Sequence, residues 1–192
     1  MNVQLFEGER IRLAALDPEK DAEVWSKWTT DPEYLRLLNP DPARPLAPNQ
    51  AKKQLEELEK DAEKWKNQFH FALRERADDR LLGFVSLYRI EWNHRTSLAR
   101  LGIGQAPDRG RGYGREALRM ILRYAFDELN LHRVGALTFE YNIAALRLLE
   151  RAGFVIEVRR REAAQREERR WAALMWGLLR DEWRVTRSES DP

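Results

Sequence analysis

The sequence predicts a single α/β domain: a mixed, strongly twisted sheet flanked by helices. Three observations predict it. Strand-like and helix-like segments alternate in the order β-α-α-β-β-β-α-β-α-β-β, with no linker or internal repeat between them. The apolar segment Leu98 to Ile103 feeds through the glycine-rich turn Arg109-Gly110-Arg111-Gly112-Tyr113-Gly114 into an amphipathic run, a strand-to-helix junction. The chain has 192 residues, of which 43% are hydrophobic, enough for one real core. Residues 1–187 are expected to form the domain, and Ser188 to Pro192 a frayed tail.

The elements follow in order. Ile11 and Leu13 alternate with Arg10 and Arg12 as in a strand. Asp17 can cap a helix whose first turn tolerates Pro18 and whose apolar face is Ala22, Trp25 and Trp28. Asn39 to Pro48 carries Pro40, Pro42, Pro45 and Pro48, with Pro32 upstream, and reads as loop. Asn49 to Lys66 reads as a helix, with Ala51, Leu55, Leu58, Ala62 and Trp65 on its core stripe. Phe69, Phe71 and Leu73 alternate as a strand, and Arg76 to Arg80 is a charged turn. Leu81 to Tyr88 is a buried strand, Glu91 to Ser97 a polar link, and Leu98 to Ile103 the next strand. Leu118, Ile121, Leu122, Ala125 and Leu129 share one face of the helix from Arg115 to Leu129. Arg133 to Tyr141 is apolar on both faces, which suits a central strand. Asn142 caps a short helix that Gly153 ends. Phe154 to Ala163 and Arg169 to Leu179 form a long hairpin with many exposed charges.

Composition excludes several classes. Lys+Arg (34) nearly balances Asp+Glu (32), so the net charge of +2 does not mark a nucleic-acid protein. No cysteine is present, which removes disulfides, thiolate metal sites and a cysteine nucleophile. Three scattered histidines give no metal-ligand spacing, and no metal is expected. No long uncharged apolar run predicts a membrane span, and Met1 to Arg10 lacks a secretory apolar core, so a cytoplasmic protein is expected.

The glycine turn carries the chemistry. Glycines between strand and helix let the backbone turn tightly and aim several N–H groups one way, and the helix behind adds partial positive charge at its N-terminus. That arrangement cradles a pyrophosphate. Arg109 and Arg111 can add forked contacts to phosphate, and Arg115 opens the helix.

In three blocks the chain resembles the GNAT superfamily of acyl-CoA-dependent N-acetyltransferases, nearest the branch that includes ribosomal-protein N-terminal (alanine/serine) acetyltransferases. The first is Arg109, Gly112 and Gly114, against the pattern Arg/Gln-x-x-Gly-x-Gly/Ala. The second is Asn142-Ile-Ala-Ala145-Leu-Arg-Leu-Leu149-Glu150-Arg151-Ala-Gly153-Phe154. The third is the closing run Met175 to Trp183. The resemblance implies splayed central strands and acetyl-CoA as acyl donor. It implies a pyrophosphate held by residues 109 to 114, so that Arg109, Gly110, Arg111, Gly112, Tyr113, Gly114 and Arg115 are cofactor-binding candidates. Leu101, Gly102 and Ile103 would pair with the pantetheine arm, and Asn142 would both cap its helix and touch the arm. A backbone N–H on that strand would polarise the thioester carbonyl, and a primary amine would attack directly without a covalent enzyme intermediate. Homodimers are common in this branch.

The sequence departs from the family at three places, one of them the link Ala106-Pro107-Asp108, which is one residue shorter than is common. Arg100 stands where many relatives carry a glutamate that relays the amine proton, and Leu149 stands where some carry a tyrosine that protonates the leaving thiolate. Glu91, His94 and Glu140 are the remaining candidates for the base. The acceptor stays open between a protein N-terminus and a small amine such as a polyamine or antibiotic. A CoA-binding sensor without turnover is the alternative from another class.

Overall fold

The computed structural model describes residues 4–39 and 41–190. Its strands are β1 (Ile11–Ala14), β2 (Phe69–Glu75), β3 (Leu81–Glu91), β4 (Thr96–Ile103), β5 (Arg133–Phe139), β6 (Val155–Arg166) and β7 (Arg169–Leu179). Its helices are α1 (Pro18–Trp28), α2 (Pro32–Leu38), α3 (Pro48–Trp65), α4 (Tyr113–Arg123), α5 (Ile143–Arg151) and α6 (Arg180–Ser190). The seven strands form one sheet in the order β1-β2-β3-β4-β5-β7-β6. Every neighbouring pair is antiparallel except β4 and β5.

That exception makes the cleft. β4 and β5 run parallel and pair only from Thr96↔Arg133 to Leu98↔Gly135, while β4 continues to Ile103. Beyond Leu98 the two strands part. On its other edge β4 stays in register with β3 through Gly83↔Ile103. Gly104 N donates to Leu82 O at 2.9 Å. Antiparallel alternation then turns the N–H groups of Leu101 and Ile103 toward the open edge.

Two cores sandwich the sheet. On one face Ile11, Leu13, Leu73, Val85 and Leu87 pack against Ala117, Ile121, Leu122 and Phe126 of α4 and the π-helical turn that continues it, Tyr124–Glu128. On the other, Ala72 and Phe84 meet Trp25 and Trp28 of α1, Tyr34 of α2 and Leu55 of α3. Arg74 Nη2 donates to Asp21 Oδ1 at 2.7 Å, so the carboxylate that α1 buries is paired.

The structure corrects the sequence at four places. α2 lies where loop was expected: Asp31 caps it by accepting from the Glu33 and Tyr34 N–H groups, and Pro32 occupies its first turn, where a missing N–H costs nothing. Trp65, expected on a core stripe, is 61% exposed, because α3 buries only Ala51 and Leu55 fully. The link between β3 and β4 shrinks to residues 92–95, since Glu91 pairs with Thr96. The chain after β7 turns directly into α6, which takes in Ser188 to Ser190. Pro40, expected in the loop, and residues 191–192 of the expected tail lie outside the described residues.

Candidate active site

A cleft of about 480 Å³ opens where β4 and β5 part. Leu101, Gly102 and Ile103 of β4 form one wall. Tyr34, Leu37 and Leu38 of α2 close one side. Gly110, Gly112, Gly114 and Arg115 form the far end, and Asn142, Arg147, Leu148 and Arg151 the opposite wall.

The glycine turn is shaped for an anion. Gly110 and Gly112 have φ of 76° and 91°, a region that side chains disfavour. Gly112 is the residue before α4. The backbone N–H groups of Gly110 through Arg115 find no acceptor among the described residues; the first one used is that of Glu116, which donates to Gly112 O at 3.1 Å. Six free donors thus stand at or just before the positive end of an eleven-residue helix, where the partial charge favours an anion.

Four ties hold this turn. Arg10 Nη1 donates to Arg111 O at 2.7 Å, while Glu116, buried, accepts from Arg10 N at 3.0 Å. Arg80 reaches Asp108 at 2.6 Å and Glu75 at 2.7 Å. The Tyr113 hydroxyl donates to Glu75, and this bond, with the Arg80 guanidinium, holds the Glu75 carboxyl below its usual range. Arg109 donates from Nε to Ile103 O at 3.2 Å, and from Nη2 to Gly104 O at 2.6 Å and Asp31 Oδ2 at 2.7 Å.

The expected donor-site residues distribute accordingly. Leu101, Gly102, Ile103, Arg109, Gly110, Gly112, Gly114, Arg115 and Asn142 all line the cleft, whereas Arg111 and Tyr113 do not. The Arg109 guanidinium is spent on its three bonds inside the protein. Asn142 caps α5 through Ala145 N at 3.1 Å and donates to Leu37 O at 3.2 Å, tying α5 to α2. The three base candidates lie off the cleft. Glu91 and His94 are exposed at the β3–β4 turn, the end of β4 away from the glycines. Glu140 accepts from Ala172 N at 2.8 Å and pairs with Arg159 at 2.5 Å.

Sequence reasoning missed two groups. Arg147 and Arg151 sit one helical turn apart on α5 and face the cleft. Their spacing was a readable signal. With Arg115 they form a cationic rim that has no ion-pair partner among the described residues. Tyr34 was hidden because α2 itself was missed. No group of three or more His, Asp or Glu side chains able to hold a metal occurs among the described residues, and no helix there is long and apolar enough to cross a membrane.

A parted parallel strand pair, a free strand edge and a turn of unpaired N–H groups meet in one cleft. The chain belongs to the GNAT acetyltransferase family: the model of the GNAT acetyltransferase domain matches residues 10–155. "Probable N-acetyltransferase YjcK" of Bacillus subtilis (strain 168) is 42% identical over 102 residues, and that match spans 52% of either protein. Among solved structures, a spermidine N-acetyltransferase from Vibrio cholerae in complex with CoA and spermine is similar with a TM-score of 0.76 at 22% identity, over 92% of this chain and 99% of that one. A second Vibrio cholerae structure, provisionally assigned as a ribosomal-protein-serine acetyltransferase, is similar with a TM-score of 0.73 at 19% identity, over 91% and 96%. At those identities the structural likeness speaks for the fold alone. Acyl transfer to nitrogen is the class of enzyme that family and fold define together.

Proposed function

We propose that this chain moves an acetyl group from acetyl-CoA to a primary amine by direct attack, and that the amine is a protein or peptide N-terminus. One observation carries the donor reading: the free N–H groups of residues 110–115 stand beside the unpaired guanidinium groups of Arg115, Arg147 and Arg151. That is what a pyrophosphate and a further phosphate require. A neighbouring hollow of about 740 Å³ shares Arg115, Leu148 and Arg151 with the cleft and offers room for the nucleotide end.

The arm of the donor would add to the open edge of β4, where the N–H groups of Leu101 and Ile103 are free to bond a carbonyl. An N–H aimed at the thioester oxygen stabilises the charge that develops there as the amine nitrogen bonds to carbon. The C–S bond breaks and its electron pair leaves on sulfur. The thiolate then takes a proton from water, as its pKa permits. Glu91, His94 and Glu140 all lie off the cleft, so the amine proton passes to solvent or the acceptor arrives deprotonated. The chain then contributes mainly orientation, worth roughly 7–11 kcal/mol in favourable cases.

The acceptor reading rests on charge. The one carboxylate lining the cleft among the described residues, Asp108, is bound by Arg80, and Glu33 and Glu140, where the β6–β7 hairpin approaches α2, are bound by Arg166 and Arg159. A polyamine carries several positive charges and finds no free carboxylate here. A single amine on a neutral or acidic chain is not penalised in that way.

An acceptor screen with acetyl-CoA, read by mass shift, tests this. Peptides with free N-termini should be acetylated and spermidine should not. The reverse result makes this a polyamine acetyltransferase, and tight CoA binding with no transfer to any amine makes it a sensor.

A further inference from the structure

The Tyr34 hydroxyl is buried, has no hydrogen-bond partner among the described residues, and belongs to a residue that lines the cleft. A buried hydroxyl left unpaired is a standing cost in a folded protein, and one facing a binding cleft points to a partner that arrives with the ligand. Its position is defined from two sides. A Cβ placed on Gly102 would come within 3.3 Å of Tyr34 Oη, so the hydroxyl lies over the β4 segment whose open edge offers free N–H groups. The ring is held under Arg109, whose Cζ is 5.6 Å from its centroid, and Arg109 is fixed in turn by Asp31, the cap of the helix that carries Tyr34.

We propose that Tyr34 donates a hydrogen bond to a carbonyl oxygen of the acyl donor's arm, and that Asp31 and Arg109 are positioning residues for it. This rests on the donor reading above. Tyr34 touches the donor and assists its binding or its reaction without giving up its proton. Burial pushes its phenol well above the ordinary value, against the pull of Arg100 and Arg109, so it remains a donor throughout the working range. No bond to tyrosine forms or breaks. The arm offers two kinds of carbonyl, an amide also present in free CoA and the thioester present only in acetyl-CoA.

The test is Tyr34→Phe, which keeps the ring beneath Arg109 and removes only the hydroxyl. We expect kcat/KM for acetyl-CoA to fall about tenfold, the scale of one buried hydrogen bond, while the melting temperature holds or rises. An equal loss of affinity for free CoA assigns the bond to an amide carbonyl; a loss confined to kcat with acetyl-CoA assigns it to the thioester. Asp31→Asn keeps the helix cap and removes the charge that fixes Arg109. It should cause a smaller loss in the same parameter, and none when added to Tyr34→Phe. A tyrosine that merely fills space predicts unchanged kinetics for Tyr34→Phe, and that result overturns the proposal while leaving the donor reading intact. A wild-type protein that binds no CoA overturns both.

Discussion

The glycine end of the cleft and the hairpin region beside it treat their polar groups in opposite ways. At the glycine end, six backbone N–H groups and three guanidinium groups stand without partners, yet the scaffold beneath them is tied by Arg10 to Glu116, by Arg80 to Asp108 and Glu75, and by Arg109 to Asp31. Beside the cleft, where the β6–β7 hairpin approaches α2, the charges satisfy one another. Arg166 pairs with Glu33 and lies 4.8 Å over the Tyr141 ring, Glu140 pairs with Arg159, and the Tyr141 hydroxyl donates to Arg36 O at 2.9 Å. If the donor reading proposed above holds, charges left free on a rigid base mark the part that meets a charged ligand, and charges closed off in pairs mark a part that contributes shape more than charge.

The sharpest way to break this contrast is Gly112→Val. The new side chain must adopt a left-handed backbone, which costs roughly 1–2 kcal/mol. Its Cβ would also sit 2.6 Å from Nη2 of Arg10, whose Nη1 braces the turn. CoA affinity should fall on the order of a hundredfold with peptide binding untouched. Calorimetric titration that finds wild-type affinity in a folded variant would remove the turn from the donor site.

The next effect tests the rim. Arg147→Ala with Arg151→Ala should weaken CoA about tenfold, and the remaining affinity should depend less steeply on salt, because unpaired charges facing a phosphate act through screened attraction. An unchanged salt slope would mean that the rim does not meet the ligand.

These two changes also mark what the sequence discloses. The glycine turn was legible because its requirement is backbone geometry, which only glycine meets, and because it sits between a strand and an amphipathic helix. The parting of β4 and β5 came only with the family resemblance; nothing in Leu98 to Ile103 says where pairing stops. Tyr34 was not legible. Asp31-Pro32 is a sound helix start, but seven residues ending among prolines give too short a period to separate helix from loop. Arg10 was out of reach for another reason: its partners Arg111 and Glu116 are about a hundred residues away, and no local pattern predicts such a pairing.

Where the hairpin meets α2, Arg166→Ala removes a side chain that is only 14% exposed and joins the hairpin tip to that helix. Loosening that join should raise the KM for the acceptor several-fold, the scale of about 1 kcal/mol, and leave the KM for acetyl-CoA as it was. Equal changes in both would show that the hairpin shapes the whole cleft and that the two regions are not independent.

The smallest expected effect concerns the β2–β3 part of the sheet. His70 Nδ1 lies 2.8 Å from Ser86 Oγ, and its Nε2 is buried without a partner. Burial, helped by the Arg100 charge and opposed by Asp61, holds its pKa below the ordinary 6.5. The folded protein therefore binds this proton more weakly than the unfolded chain does. The stability present above the unfolded value is lost as pH falls from there through the folded value, and levels off below it. The carboxylates held low by their partners, such as Glu75 and Asp79, lose their contributions only at more acidic pH, so they do not mask the step. Between about pH 7.5 and 5.5, where an ordinary histidine titrates, the wild type should lose more melting temperature than His70→Gln does. Parallel curves would show that the ring takes up its proton inside the folded protein without strain, and that Arg100 and its burial do not oppose a positive charge at this place in the sheet.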